Sequence, residues 1–330
     1  MKILITGADG FIGSHLTEKL AKLGHKITAL CYYNSFNSIG NLVYLDKKVL
    51  KGIEIIHGDL RDISLVENLI KGKDFVFNLA ALIGIPYSFK AYHSYLDTNI
   101  KGTLNILTAI KKYSSTFLIH TSTSEVYGSA QYTPIDENHP LVAQSPYAAT
   151  KIAADQLVGS FNKSFGIKTC IIRPFNTFGP RQSSRAIIPT AITQIIKKPK
   201  KLFFGNLNTV RDLTYIEDTI NAFCLCLKNN KINGQIINLG TGKGYIINNV
   251  INRIIKIENS KSNIIIKKNR IRPNNSEVQK LISSNNLAKN LLKWRPKYSN
   301  SKFFDEALTK TIEWFKRNRN KSEDHSRYII

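Results

Sequence analysis

No run of apolar residues in this chain approaches the roughly 18 needed to cross a bilayer. The opening stretch, Met1-Lys-Ile-Leu-Ile-Thr6, has neither the length nor the cleavage region of a signal peptide. A cytoplasmic protein with no membrane segment is expected. Cysteine is scarce, with Cys31, Cys170, Cys224 and Cys226 each in or beside apolar runs. Zinc needs clustered Cys/His spacings, and Cys224-Leu-Cys226 has no matching second pair. Small buried hydrophobes are therefore expected, and no metal site. Acidic residues are also few, 23 against 47 basic, for a net charge of +24. That excess raises nucleic-acid binding or scaffolding as a function class. Residues 251–330 supply half of it, with 19 basic against 7 acidic side chains. These are scattered among Asn, Ile and Ser, without a zinc-finger or aromatic-patch signature. A solvated basic surface is the expected outcome, with a general attraction for phosphate-bearing small molecules and no specific nucleic acid partner.

What the chain does contain is an alternation. Lys2–Thr6, Lys26–Cys31, Ile53–His57, Phe75–Leu79, Thr116–Thr121 and Lys168–Ile172 read as strands rich in Ile, Leu, Val and Phe. Helical stretches near 12–23, 62–70, 91–113 and 146–164 separate them. Strand and helix at these intervals predict an α/β fold, a Rossmann-type parallel sheet flanked by helices. A smaller, mostly C-terminal α/β substrate domain is expected beside it. The boundaries read as 1–174 for the nucleotide domain, 175–211 for a substrate-side segment, 212–240 for a return, and 241–330 for the substrate domain and tail. Ser183–Lys197, Ser284–Leu292 and Lys302–Lys316 read as further helices.

Thr6-Gly-Ala-Asp-Gly-Phe-Ile-Gly13 closes the first strand and opens the first helix. In that position one glycine permits a tight bend, one lets the backbone approach a pyrophosphate, and one allows close helix–strand packing. A phosphate would rest on the unpaired N–H groups of the helix start. The acid that usually ends the second strand is missing, for the chain there reads Cys31-Tyr32-Tyr33-Asn34-Ser35. Tyr32, Asn34 and Ser35 are candidates for the adenosine ribose, and Asp59 and Leu60 for the adenine. NAD and NADP both remain open.

Tyr147 and Lys151 stand four residues apart, on one face of a predicted helix. Tyrosine near pKa 10 is a poor base at neutral pH. An ammonium one turn away is expected to lower that value, so that the phenolate takes a proton from a sugar hydroxyl. Thr123, just past the fifth strand, is placed to join the same relay.

These motifs resemble the extended short-chain dehydrogenase/reductase family of nucleotide-sugar epimerases and dehydratases. The marks are Gly7–Gly13, Asn78-Leu-Ala-Ala81, Ser122-Thr-Ser-Glu-Val-Tyr-Gly128 and Ser145-Pro-Tyr-Ala-Ala-Thr-Lys151. Arg173-Pro-Phe-Asn-Thr-Phe-Gly-Pro-Arg181, Arg211-Asp212 and Arg272-Pro-x-x-Ser-Glu277 add to them. A closer likeness is to bacterial nucleotide-N-acetylglucosamine 4,6-dehydratases of the legionaminic-acid pathway. It is carried by Tyr33-Asn-Ser-Phe-Asn-Ser38, Ala81-Leu-Ile-Gly-Ile-Pro-Tyr-Ser88 and Thr121–Gly128. Dehydratase relatives have Thr, then Asp or Ser, then Glu beside the catalytic tyrosine, and this chain has Thr123-Ser124-Glu125.

The resemblance implies a catalytic set of Thr123, Ser124, Glu125, Tyr147 and Lys151. It implies a tightly held NAD or NADP, regenerated in each turnover. The cofactor set is Gly7, Gly10, Phe11, Ile12, Gly13, Tyr32, Asn34, Ser35, Asp59, Leu60, Leu79, Ala80 and Ala81, with Tyr147 and Lys151. For a nucleotide-diphosphate sugar it implies Gly84, Tyr87, Ser122, Asn176, Arg181, Arg211 and Arg272. The expected reaction oxidises the sugar at C4, eliminates water across C5 and C6, and returns hydride to C6. A 4-epimerase or a UDP-glucuronate decarboxylase shares most of the same equipment. A homodimer built on the 91–113 and 146–164 helices is also implied.

Overall fold

A computed structural model describes residues 1–113, 115–267, 270 and 276–318. Its strands are β1 (Lys2–Thr6), β2 (Lys26–Tyr32), β3 (Ile53–Gly58), β4 (Phe75–Asn78), β5 (Phe117–Thr121) and β6 (Thr169–Pro174), then β7 (Asn176–Phe178) and β8 (Lys201–Phe204). The later ones are β9 (Val210–Tyr215), β10 (Ile236–Leu239), β11 (Gly244–Ile246), β12 (Asn263–Ile266) and β13 (Lys280–Leu281). Seven form one sheet in the order β10-β6-β5-β4-β1-β2-β3, with every pairing parallel. The expected Rossmann-type sheet is thus present, its strands ending within two residues of their sequence-based limits.

Both faces of this sheet are apolar because both are covered. Ile3, Ile5, Phe77, Ile119 and Ile172 pack to one side, against Leu16 and Leu20 of the helix Phe11–Lys22 and Phe223 of the helix Ile216–Cys226. Leu4, Val76, Leu118 and Ile171 pack to the other, against Val66, Ile106, Ile110 and Val158. Each fully buried Leu, Ile or Phe contributes about 1.5–3 kcal/mol by leaving water, which is why alternate residues of one strand serve two cores.

The later half is built in smaller pieces. β9 pairs with β11, β13 and β7, and β8 pairs with β12. The helix expected at Ser183–Lys197 is Ile187–Ile196, and the terminal pair is Asn286–Leu292 and Ser301–Arg317. The stretch expected as one helix over 91–113 is instead Tyr92–Tyr95, a π-helical turn Leu96–Lys101, and Gly102–Tyr113. Such π insertions bring an extra side chain onto a face, frequently near a site. Here the buried Asn99 profits from it. Its side chain accepts from Leu82 N–H and donates to Leu82 carbonyl and Thr150 hydroxyl, binding the 82–84 loop to the helix Pro146–Phe165.

Candidate active site

The glycine turn meets the end of β4. Gly7 sits at φ +64, and a β-carbon there would lie 2.8 Å from the Ala80 backbone. At Gly13 an added β-carbon would be 2.0 Å from the Gly7 carbonyl oxygen. Leu79 and Ala80 N–H groups both donate to the Thr6 hydroxyl, so Gly7, Leu79, Ala80 and the start of the helix Phe11–Lys22 form one concave surface. No side chain caps that helix. Its first N–H groups, at Phe11, Ile12 and Gly13, are left to an anion. The turn therefore fits a dinucleotide pyrophosphate.

The second cluster follows from local capping. Ser145 accepts from Ala148 N–H at 3.1 Å and Pro146 takes the first helical position, so the helix Pro146–Phe165 begins just before Tyr147. Lys151 follows one turn later. Past β5, Thr123 caps a short 3-10 turn, Ser124–Tyr127, by accepting from Glu125 N–H at 3.2 Å. Thr123 also hydrogen-bonds the Tyr147 side chain, and Glu125 is near enough to act on its ionisation. Ser124 is buried, while Glu125 is half-exposed. The Tyr95 ring stands edge-on to Tyr147 at 6.2 Å, and its hydroxyl donates to the Gly84 carbonyl at 2.6 Å. Tyr87, 6.1 Å from Tyr95, extends this aromatic wall outward.

Lys151 donates to the Thr121 carbonyl at 2.7 Å and is 3% exposed. Burial pushes its ammonium down to about 8, opposed by the Asp155 carboxylate. Tyr147 is raised above the ordinary tyrosine range by burial, partly offset by Thr123 and reinforced by Glu125. The sequence expectation that Lys151 pulls it down is reversed here. Loss of solvent around the phenol outweighs an ammonium whose hydrogen bond goes to the Thr121 carbonyl.

Beneath the pair lies a buried network that sequence reading missed. Asp155 Oδ2 accepts from Ser122 hydroxyl at 2.8 Å and from Arg173 Nε and Nη2 at 3.0 Å each. Arg173 Nη1 donates to Tyr127 hydroxyl, which donates to Asn238. His120 stands with Nε2 3.6 Å from Asp155 Oδ1 and is held neutral by burial and by Lys151 and Arg173. Asn78 lies 3.2 Å from its other ring nitrogen and accepts from Thr6, so polar contacts run from the glycine turn to the neighbours of Lys151. The signal in the sequence was Asp155, four residues beyond Lys151 on the same helix face.

Several expected ligands are already committed elsewhere. Ser122 points into the interior, to Asp155. Asn34 donates to Tyr32 and Ser38 carbonyls and accepts from Ser38 N–H, stapling its own loop instead of offering itself to a ribose. Asp59 grips Arg61 through both carboxylate oxygens, and Leu60 is buried with its carbonyl bound by Asn105. Arg181 is ion-paired to Glu18 on the first helix, which turns its guanidinium to that helix and not to Tyr147. Arg211 donates to the Val210 carbonyl and lies 3.7 Å from Glu277. Asn176 keeps a buried Oδ1 without a partner among the described residues. Tyr32 and Ser35 are exposed, Ala81 is half-buried, and Arg272 lies outside the described residues.

Comparisons with known proteins place the chain in a family with this fold. The family model described as GDP-mannose 4,6 dehydratase matches residues 4–307. A dTDP-D-glucose 4,6-dehydratase of Dictyostelium discoideum is 34% identical over 78% of this chain, which spans 62% of that protein. A UDP-N-acetyl-alpha-D-glucosaminuronate decarboxylase of Bacillus cytotoxicus is 29% identical over 96% of this chain and 98% of its own. The solved structure of a UDP-glucuronic acid 4-epimerase from Bacillus cereus, in complex with UDP-glucuronic acid and NAD, superposes with a TM-score of 0.86 at 29% identity, covering 96% and 99% of the two chains. Three chemistries thus share this frame, and the chain belongs to the GDP-mannose 4,6 dehydratase family, among the nucleotide-sugar dehydratases and epimerases of the extended short-chain dehydrogenase/reductases.

Proposed function

We propose that this protein is a nucleotide-sugar 4,6-dehydratase acting on UDP- or GDP-N-acetylglucosamine, as in the legionaminic-acid type of pathway. The observation that carries the reading is the Thr123-Ser124-Glu125 turn set against Tyr147, with a half-exposed carboxylate beside the phenol. An epimerase needs no such carboxylate. The dinucleotide would lie on Gly7, Gly10, Phe11, Ile12 and Gly13, with Leu79, Ala80 and Ala81 beside it. When bound, it would supply the acceptor for hydride from C4 of the sugar and the donor of hydride to C6.

Tyr147 takes the C4 hydroxyl proton as the phenolate, which Thr123 orients and the Lys151 ammonium must stabilise against the burial that favours the neutral phenol. Oxidation at C4 makes the C5 hydrogen acidic, because its loss gives an enolate. Glu125 accepts that proton and passes it to the departing C6 hydroxyl, so that one water leaves; as hydride returns to C6, C5 takes up a proton from solvent and Tyr147 releases the C4 proton to solvent. Ser124 orients the leaving group. Asn176 is the proposed hold on the diphosphate, with Tyr87 and Gly84 along the sugar. The exposed Tyr92, Leu96 and Leu104 of the 92–113 stretch are the proposed cover for a second copy of the chain.

The test is a substrate panel read by mass spectrometry. UDP- or GDP-N-acetylglucosamine is expected to lose one water without added oxidant. An unchanged mass with a 4-epimer, or carbon dioxide released from UDP-glucuronate, would replace the dehydratase reading with one of the other two. Within it, Glu125→Gln should slow dehydration by about 10²–10⁴-fold and stop solvent deuterium entering C5. Tyr147→Phe should abolish C4 oxidation while leaving the melting temperature near that of the wild type.

A further inference from the structure

Rossmann sites for NAD ordinarily end β2 in an acid that binds the adenosine ribose hydroxyls. This chain has none there, and the structure brings one by another route. Asp9, between the glycines of the first turn, accepts from the N–H of Tyr32, the last residue of β2, at 3.3 Å. Its own carbonyl accepts from Asn41 N–H at 2.9 Å. Gly40, at φ +53, approaches so closely that a β-carbon there would lie 2.9 Å from that of Asp9. Asp9 is thus held at two places, its carboxylate at the end of β2 and its carbonyl and β-carbon against Gly40 and Asn41. Burial pushes it up and the Tyr32 N–H and His57 pull it down. Arg61, a cation near Tyr32, is held by both oxygens of Asp59 at 2.6–3.0 Å.

We propose that Asp9 is the ribose-binding acid of this site, and the residue that selects a dinucleotide with a free 2′-hydroxyl, NAD, over its 2′-phosphorylated counterpart, NADP. The proposal rests on the nicotinamide reading above. Vicinal hydroxyls donate to a fixed carboxylate, whereas a 2′-phosphate sets a dianion against it in a half-buried place, where like charges repel more strongly than in water. Arg61 is already neutralised by Asp59 and offers little compensation. A glycine-turn residue thereby takes the place of the missing β2 acid.

The experiment compares wild type with Asp9→Asn, which keeps an acceptor for Tyr32 N–H and removes only the charge. Resident nucleotide is stripped, and NADH and NADPH are titrated by nicotinamide fluorescence. Wild type is expected to favour NADH by about 100-fold, and Asp9→Asn to narrow that ratio about tenfold, through tighter NADPH binding. An unchanged ratio in Asp9→Asn, or a wild type that binds NADPH as well as NADH, overturns the proposal. A second measurement sets ADP-ribose and its 2′-phosphate in competition with NADH on wild type and Asp9→Asn at rising salt. The background attraction of the basic chain is common to both, so repulsion by Asp9 requires the gap in discrimination between them to close as salt screens it, and a constant gap overturns the proposal. Wild type that binds neither dinucleotide would instead overturn the nicotinamide reading itself, an outcome distinct from equal binding.

Discussion

The seven-stranded sheet and the small sheets of the later half hold their loops in place by different means. In the first, backbone register does most of the work. β1 is hydrogen-bonded along both edges, to β2 and β4, so the glycine turn and the Leu79–Ala80 corner arrive together. In the second, strands are short, and buried carboxylates gather what the ladders do not reach. Asp212 accepts from Thr241 N–H and hydroxyl, Gly242 N–H and Ser283 N–H, drawing together the chain after β10 and the chain after β13. Asp218 does the same for Lys297 and Tyr298, while its carbonyl accepts from Trp294. Where few ladder bonds exist, a side chain with several acceptor sites replaces them. The two regions then meet at a seam, where His15 and Glu18 of the first helix reach Pro180 and Arg181.

The hardest blow to this contrast would fall on Asp212. Asp212→Ala leaves the buried N–H groups of Thr241 and Ser283 without acceptors, and that of Gly242 to solvent, so about 3 kcal/mol of stability should be lost in denaturant unfolding. A loss under about 1 kcal/mol would mean that the small sheets organise themselves without it. On the other side, Gly13→Ala drives a β-carbon into the Gly7 carbonyl. Backbone, not a flexible side chain, must yield, so a cost near 3 kcal/mol is expected together with loss of dinucleotide binding in a titration.

The seam itself is open to a pH test. Burial and the nearby Arg181 push His15 down to about 4, so it stays neutral in the folded protein at mildly acid pH. The unfolded chain binds that proton near pH 6.5, and stability should therefore fall as pH drops from about 6.5 to about 4. His15→Gln should flatten that fall by about 2 kcal/mol in melts across the window, and an unaltered slope would assign the acid sensitivity elsewhere. The smallest effect belongs to the exposed Arg317–Glu313 pair at 3.4 Å. Removing it by Arg317→Ala should change stability by less than about 0.5 kcal/mol, and a larger change would give the last helix a role beyond its apolar face.

Legibility in the sequence divides along the same line. Apolar runs of five or six residues marked six of the seven strands of the large sheet, because a strand buried on both faces leaves no polar position to blur it. The helix expected over 146–164 begins at Pro146, since the Ser145 cap and proline act within one turn and so leave their mark locally. The glycine turn, the catalytic pair and the Thr123–Glu125 stretch were all readable as local spacing. The later half was not readable at that resolution. Its three-residue strands β7 and β11 carry too few residues for a period, and Asp212 looked like part of a motif instead of a clasp.

Residue type and spacing alone determined six of the large sheet's strands, the glycine turn and the four-residue step from tyrosine to lysine, because each depends on neighbours within one turn or one strand. Tertiary structure alone decided how the polar side chains are spent. Ser122 turns to Asp155, Arg181 to Glu18 and Asn34 to its own loop, while Asp9 reaches the end of β2. It also reversed the direction expected for Tyr147, because burial is a property of the packed chain. Most of these bonds join residues brought together by the order β10-β6-β5-β4-β1-β2-β3, and that order comes from how strands and crossing helices pack, which no local pattern records.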